Sequence, residues 1–323
     1  MSVIKTLYLE QVLNNHSQNM LGKTVAITGT TSGTGYIAAR ELARKGAEVL
    51  LLNRQSIRSE TAYKKLKQEV LGGRFIEVEC DLQNMANVDQ AIAKIKSRIE
   101  VLDVLCNNAA VMALEDQATS DGYDIQVQTN VLSHFQLVKG LMPLLKASKG
   151  ARIINHTSMA RLGGPLQPEF FGKNGGNLGG DGTQEEALAF GGPRWERYHQ
   201  TKLANFVFTY ALNNRLEAAG IENVMCVAAH PGLALTSLAA TSAKSGGMDA
   251  NAEFMKQAQS AEDGATGIIR AAMDPKTKAG DFYGPDQWKG FPKHLTPESD
   301  LVTDENIEVF WQGCEKAIGE LTL

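Results

Sequence analysis

Thr28-Gly29-Thr30-Thr31-Ser32-Gly33-Thr34-Gly35 follows a short β-rich run, Thr24–Thr28, and opens a helical pattern that reaches Lys45. Glycines at these positions allow a tight turn and a close backbone approach. The free amides and dipole of the helix start can then hold a pyrophosphate. Spacing alone does not carry this reading, because Gly176, Gly180 and Gly182 repeat it where no strand precedes and no amphipathic helix follows. Position on a strand–turn–helix is what distinguishes the first loop.

Working outward, short β-rich runs alternate with helical patterns from Lys23 to Gly232. The expected strands are Thr24–Thr28, Glu48–Leu52, Phe75–Cys80, Val101–Cys106, Arg152–His156 and Val224–Ala228. Their near-continuous Val, Ile, Leu and Cys content suits strands covered by helices on both faces. The expected helices lie near Gly35–Lys45, Ser59–Val70, Met85–Ile99, Asp124–Lys146 and Arg194–Ala219, with Gly46, Gly72 and Gly220 punctuating three ends. This rhythm predicts a doubly wound, mostly parallel α/β fold. We expect one domain over residues 22–323, preceded by an N-terminal extension, 1–21. A last strand, Asp281–Tyr283, and a helix, Asn306–Ile318, are expected to finish the sheet and cover its edge. One segment breaks the rhythm: residues 160–193 hold ten glycines with Phe170, Phe171 and Phe190 among them and no clear period. It reads as a long mobile insertion, either a lid or an irregular surface elaboration.

Composition narrows the function. With 43% hydrophobic and 21% charged residues the chain can bury a large core, and a net charge of −4 offers no basic stripe for nucleic acid. Cys80, Cys106, Cys226 and Cys314 are far apart and mostly in apolar runs, so they read as buried thiols of a cytoplasmic or other reducing compartment. No metal-ligand spacing appears among them or the six histidines. Met1–Leu21 lacks the form of a secretory signal, and no stretch is apolar enough to span a bilayer. Val3–Leu13 is expected to form a short helix packed on the body; peripheral membrane contact is the competing reading.

Candidate chemistry sits at strand ends and on one helix. Tyr198-His-Gln-Thr-Lys202 puts a phenol and an ammonium on one helical face, where they can act as one proton-transfer device. Tyr63 and Lys67 share the spacing on a Lys-rich helix, so context again decides. At the end of the second strand Asn53-Arg54 stands where a carboxylate would favour NAD; Arg54, with Arg58, would instead pair with a 2′-phosphate. Asp81-Leu82 and Asn107-Asn108-Ala109-Ala110 end the third and fourth strands, over which a ligand of an open α/β sheet lies. A cap at Asp81 and a turn at Asn107-Asn108 are the structural alternatives.

These residues, with a helical Asn130, Ser158 and Pro231-Gly232, occur in the order typical of the short-chain dehydrogenase/reductase family, which the chain resembles over about residues 22–238. Tyr198-His-Gln-Thr-Lys-Leu-Ala-Asn-Phe, Asn130-Val-Leu-Ser-His-Phe and His230-Pro-Gly resemble the branch with retinol dehydrogenases, WW-domain oxidoreductase and protochlorophyllide reductase; nothing here resembles a WW domain. The resemblance implies a Rossmann-type fold with Asn130, Ser158, Tyr198 and Lys202 as catalytic residues. It implies cofactor contacts at Gly29, Thr31, Ser32, Gly33, Thr34, Gly35, Asn53, Arg54, Asp81, Leu82, Asn108, Ala109, Tyr198, Lys202, Pro231, Gly232, Leu233 and Thr236. Tyr198 would be the acid/base, with Lys202 favouring its phenolate. Ser158 would bond the substrate oxygen, and Asn130 would support a water joining Lys202 to solvent. Ser158 as a cap, Asn130 as a buried helix residue and Lys202 as a solvated one are the alternatives from the residues alone. His156, His199 and His230 are assigned no catalytic role.

Two departures from the family pattern are small: Thr34 where a branched aliphatic residue is usual, and Ala110 for a glycine. The long insertion between Ser158 and Tyr198 is the larger one. The expectation is an NADP(H)-dependent oxidoreductase interconverting a carbonyl and an alcohol on an apolar or aromatic small molecule. Reduction of an activated C=C bond is the alternative within enzymes, and a silent NADP(H)-binding sensor or interaction protein is the alternative outside them. Homo-oligomers that pair through the helices carrying Asn130 and Tyr198 occur among such proteins, as do monomers.

Overall fold

The computed structural model describes residues 4–323. Among these, the strands are β1 (Thr24–Thr28), β2 (Glu48–Asn53), β3 (Arg74–Glu79), β4 (Val104–Asn107), β5 (Ala151–His156), β6 (Val224–Ala229), β7 (Phe282–Gly284) and β8 (Lys293–Leu295). They form one sheet in the order β3-β2-β1-β4-β5-β6-β7-β8. All neighbours run parallel except the short antiparallel pair β7–β8. Strand order reverses between β1 and β4, which opens the crevice where ligands of such sheets lie. The helices are α1 (Leu9–Asn15), α2 (Gly33–Arg44), α3 (Ile57–Glu69), α4 (Met85–Lys96), α5 (Ile125–Val127), α6 (Ser133–Lys146), α7 (Gln184–Leu188), α8 (Gly192–Ala218), α9 (Ser237–Lys244), α10 (Ala261–Gly264), α11 (Thr266–Met273) and α12 (Asp304–Ile318).

The apolar strand runs divide between two cores by their period of two. Val25, Ile27, Val49, Leu51 and Val227 face a core with α1, α2, α3 and α11. Ala26, Leu50, Leu52, Leu105 and Ile153 face the other, with α4, α6, α8 and α12. The doubly wound, mostly parallel expectation holds, and the strand limits match to within a few residues.

Several local expectations are corrected. The N-terminal helix begins at Leu9 rather than Val3, which lies outside the described residues, and ends at Asn15. The Asp263 carboxylate accepts from the Leu7 and Tyr8 amides just ahead of it, and Leu9 and Val12 are buried in the core. Among the described residues no helix is long and apolar enough to cross a membrane. The single helix expected over Asp124–Lys146 is three pieces: Asp124 caps α5, a π turn follows at Gln128–Leu132, and α6 begins at Ser133. Helix α12 does not cover the sheet edge; it packs on α8 and α6 through Phe310 and Trp311. Part of the helix surface through which some members of the family pair is thus covered by the chain itself.

The insertion is no structureless loop either. Phe170 and Phe171 are buried in the main core, and Phe171 meets Phe310 edge to face. Leu166 N–H donates to Asn306 Oδ1 at 2.8 Å, and Arg161 pairs with Glu298. Thr183 and Glu186 close a capping box on α7. The glycine-rich middle is held by Arg197, whose fully buried guanidinium donates to the carbonyls of Leu178 (3.0 Å), Gly180 (2.6 Å) and Leu114 (3.2 Å). That guanidinium lies 3.4 Å from Asp124 Oδ2, also fully buried. Burial raises the Asp124 pKa to about 6, against the pull of the Val127 amide and Arg197. Backbone groups that lack a regular partner therefore find side-chain ones.

Candidate active site

A cavity of about 530 Å³ opens over the carboxyl ends of β1, β2, β4 and β5. Its floor at one end is the glycine loop. Gly29 and Gly33 take φ of +73° and +61°, which glycine adopts without steric cost. Gly35 does not line the cavity but lets helix and strand close: a Cβ there would come within 2.4 Å of both Gly29 O and Asn108 Nδ2. Asn53 braces the loop, accepting from Thr30 N–H at 2.8 Å and donating to Thr30 Oγ1 at 2.7 Å. Arg54 is exposed and reaches Gln83 at 3.3 Å. Arg58 donates to Ser32 Oγ and Ser237 Oγ, both at 2.8 Å, and so bridges the starts of α2 and α9.

Of the residues singled out in the sequence, Gly29, Thr31, Ser32, Gly33, Thr34, Asn53, Arg54, Asp81, Leu82, Asn108, Ala109, Ser158, Tyr198, Lys202, Pro231, Gly232, Leu233 and Thr236 all line this cavity. Asn130 does not. Its side chain accepts from Val111 N–H (2.8 Å) and donates to Val111 O (2.9 Å) and Thr201 Oγ1 (3.0 Å), which uses both donors and bridges to the cavity wall. Its carbonyl pairs with His134 Nδ1 at 3.0 Å. Asn107 also turns away, donating to Asn155 inside the sheet at 2.9 Å. The decoys stay apart from the cavity: Lys67 donates to Gly73 O at 3.0 Å, and neither Tyr63 nor Gly176 is in its wall.

Tyr198 and Lys202 are both 3% exposed on α8, with the ammonium 5.7 Å from the phenol ring centre. Lys202 Nζ donates to His156 O at 3.0 Å. Ser158 accepts from Ala160 N–H at 3.2 Å as the cap of the turn after β5, and it lines the cavity with Tyr198. The cap thus leaves the Ser158 hydroxyl in the cavity wall. Burial raises the Tyr198 pKa above the ordinary phenol value, and the neighbouring Ser158 hydroxyl pulls it back in part. Burial also lowers Lys202 to about 7. Burial by the chain itself thus works against charge on both groups. His230 and His134 are held neutral by burial as well, at about 3 and about 4.

Beyond Tyr198 the cavity turns apolar. Phe190, Trp195, Met248, Phe254, Met255 and Trp288 line it. Phe190 stacks edge to face on Trp195 and Phe254, each at 4.8 Å, and holds φ of +61°, a costly conformation for an aromatic residue. Trp195 Nε1 donates to Ala187 O and Gly247 O, tying the insertion to the segment after α9. Sequence reasoning missed Met248, Phe254, Met255 and Trp288, which carry no motif. It also missed Gln259, whose amide donates to Pro231 O at 2.6 Å and accepts from Gly290 N–H at 3.1 Å. Two of the three insertion phenylalanines went to the core; only Phe190 reached the cavity.

Residues 23–168 match the family model described as short chain dehydrogenase. Retinol dehydrogenase 13 of Mus musculus is 36% identical over 217 residues, 67% of this chain and 60% of that protein. An uncharacterized oxidoreductase of Schizosaccharomyces pombe is 33% identical over 230 residues, 69% of this chain and 64% of that one. The chain thus spans about three fifths of the length of these curated relatives. Among solved structures, an uncharacterized protein from Mycobacterium Paratuberculosis superposes with a TM-score of 0.74 at 27% identity, covering 99% of this chain and 100% of that one. L-sorbose reductase from Gluconobacter frateurii, complexed with NADPH and L-sorbose, gives 0.60 at 23% identity, over 81% and 95% of the chains. The chain belongs to the short-chain dehydrogenase/reductase family. Within it, the chain falls in the branch of the retinol dehydrogenases.

Proposed function

We propose that this protein is an NADP(H)-dependent oxidoreductase that interconverts a carbonyl and an alcohol on an apolar, partly aromatic small molecule. The observation that carries the reading is that Ser158, Tyr198 and Lys202 line one cavity whose walls are of two kinds. One half is lined by glycine-loop backbone and arginines, the other by aromatic and methionine side chains. A dinucleotide fits the first half by its chemistry. The start of α2 offers amides and a dipole for the pyrophosphate, and Arg54 offers a guanidinium for a 2′-phosphate where no carboxylate ends β2. When bound, the nicotinamide supplies or accepts the hydride. In carbonyl reduction Tyr198 gives its phenolic proton to the substrate oxygen; in alcohol oxidation it takes that proton back. Ser158 donates a hydrogen bond to the same oxygen as charge develops on it. Lys202 holds the ribose, and as a lysine brought near neutrality it can return a proton to Tyr198 at modest cost. The aromatic lobe orients the substrate and keeps water from the reacting atoms.

NADPH oxidation over a panel of aldehydes, ketones and enones tests the reading. Tyr198→Phe should keep NADPH binding and lose turnover by at least about a hundredfold. Unchanged turnover in that variant would sink the assignment, and binding without turnover across the panel would favour a sensor. For the cofactor, Arg54→Met should weaken NADPH about tenfold or more and leave NADH unaffected. Equal wild-type affinity for the two cofactors would overturn the Arg54 argument.

A further inference from the structure

His156 ends β5 two residues before Ser158, and its 6% exposed side chain lines the cavity. Its Nδ1 lies 3.1 Å from Asn108 Oδ1. The orientation of that amide is settled on its other side, where Asn108 Nδ2 donates to Thr28 O at 2.8 Å and to Gly29 O at 3.3 Å. Oδ1 is therefore the acceptor, and it also receives the Thr34 hydroxyl at 2.9 Å. An acceptor facing Nδ1 requires Nδ1 to carry the hydrogen. A neutral ring then presents a bare lone pair at Nε2. Burial, with Lys202 and His230 nearby, keeps the ring neutral by holding its pKa well below the ordinary value. Nε2 is buried and has no hydrogen-bond partner among the described residues. Buried polar atoms of this kind are rare and need an explanation.

The position says what kind of partner is missing. The carbonyl of His156 receives Lys202 Nζ, so this residue brackets the place where Lys202 reaches the cavity. An unshared lone pair repels phosphate and carboxylate and attracts an N–H or O–H. Resting on the nucleotide reading above, we infer that His156 is a cofactor-binding residue whose Nε2 accepts a hydrogen bond from the nicotinamide-riboside half of NADP(H). Two donors of that half have the right chemistry, the carboxamide N–H and a ribose O–H. Thr34 and Asn108 act through His156 by fixing its tautomer.

The test uses the purified full chain and reads binding, not turnover. His156→Asn retains an N–H near the Nδ1 position and deletes the Nε2 acceptor, and His156→Gln returns an acceptor at about the reach of Nε2. The expected result is about a tenfold rise in the NADP⁺ Kd for His156→Asn, with most of it recovered in His156→Gln. 2′-Phosphoadenosine diphosphoribose, which keeps the ribose and lacks the base, separates the donors. Its Kd stays unchanged in His156→Asn if the carboxamide donates and rises alongside NADP⁺ if the ribose does; both support the assignment. An NADP⁺ Kd equal in wild type and His156→Asn overturns it. Nitrogen NMR of the histidine-labelled wild type needs no variant: the Nε2 resonance should move toward that of a hydrogen-bonded nitrogen when NADP⁺ is added, and an unmoved resonance also overturns it. Failure of the wild type to bind NADP⁺ at all would overturn the nucleotide reading and this proposal with it.

Discussion

Replacing Lys202 by methionine should make the nucleotide-free protein more stable, and by an amount that depends on pH. Lys202 is 3% exposed and burial lowers its pKa from 10.5 to about 7. The unfolded chain therefore holds more protons than the folded one between about pH 7 and pH 10.5. Stability rises with pH across that window and is lowest below it. At about 1.4 kcal/mol per tenfold of proton affinity, the fall from 10.5 to about 7 sets a ceiling of about 5 kcal/mol on the penalty. Water entry and relaxation reduce it, and methionine forfeits the 3.0 Å bond from Lys202 to His156 O, worth about 1 kcal/mol. A net gain of about 2 kcal/mol at about pH 6 remains. Urea unfolding of wild type and Lys202→Met at about pH 6 and about pH 10 measures it. The variant should lead at the lower pH and lose most of that lead at the higher. A gap that ignores pH, or a wild type that is the more stable at about pH 6, would refute the reasoning.

Arg197→Met should destabilise the fold by about 3–5 kcal/mol at about pH 8, since it strands the Asp124 carboxylate in a fully buried site. Because Arg197 helps hold the folded Asp124 pKa down to about 6, its removal raises that pKa further, so the loss should shrink as pH falls from about 8 toward about 6 and level off below, where the carboxyl is neutral in both proteins; a urea-unfolding loss constant from about pH 8 to about pH 5 would count against the pairing. Gly35→Ala should cost about 1–3 kcal/mol, because a Cβ 2.4 Å from both Gly29 O and Asn108 Nδ2 cannot be housed without moving backbone. An unchanged melting temperature would show that α2 packs less tightly on β1 than the distances require.

The sheet was legible because its strands are apolar on both faces and its helices end at glycines, so periodicity and punctuation agree. The glycine loop and Tyr198–Lys202 were legible through their order along the chain. What escaped notice was long-range pairing. Arg197 looks like any helical arginine until Asp124 and the carbonyls of Leu178 and Gly180 converge on it. The insertion looked loose because ten glycines say nothing of partners contributed from elsewhere. Spacing gives proximity, whereas the ionisation of Tyr198 and Lys202 also depends on how dry their surroundings are, and that dryness comes from the packing around α8. His156 was passed over as packing because no local pattern reveals an atom left without a partner.

The insertion leans on the far end of the chain: Leu166 on Asn306, Arg161 on Glu298, Phe171 on Phe310 and against Gly313. A protein emerging from the ribosome therefore has its glycine loop, Ser158 and Tyr198 long before α12 is there for the first part of the insertion to pack on. Removing α12 would consequently be felt first between Leu166 and Phe171, about 140 residues away in sequence.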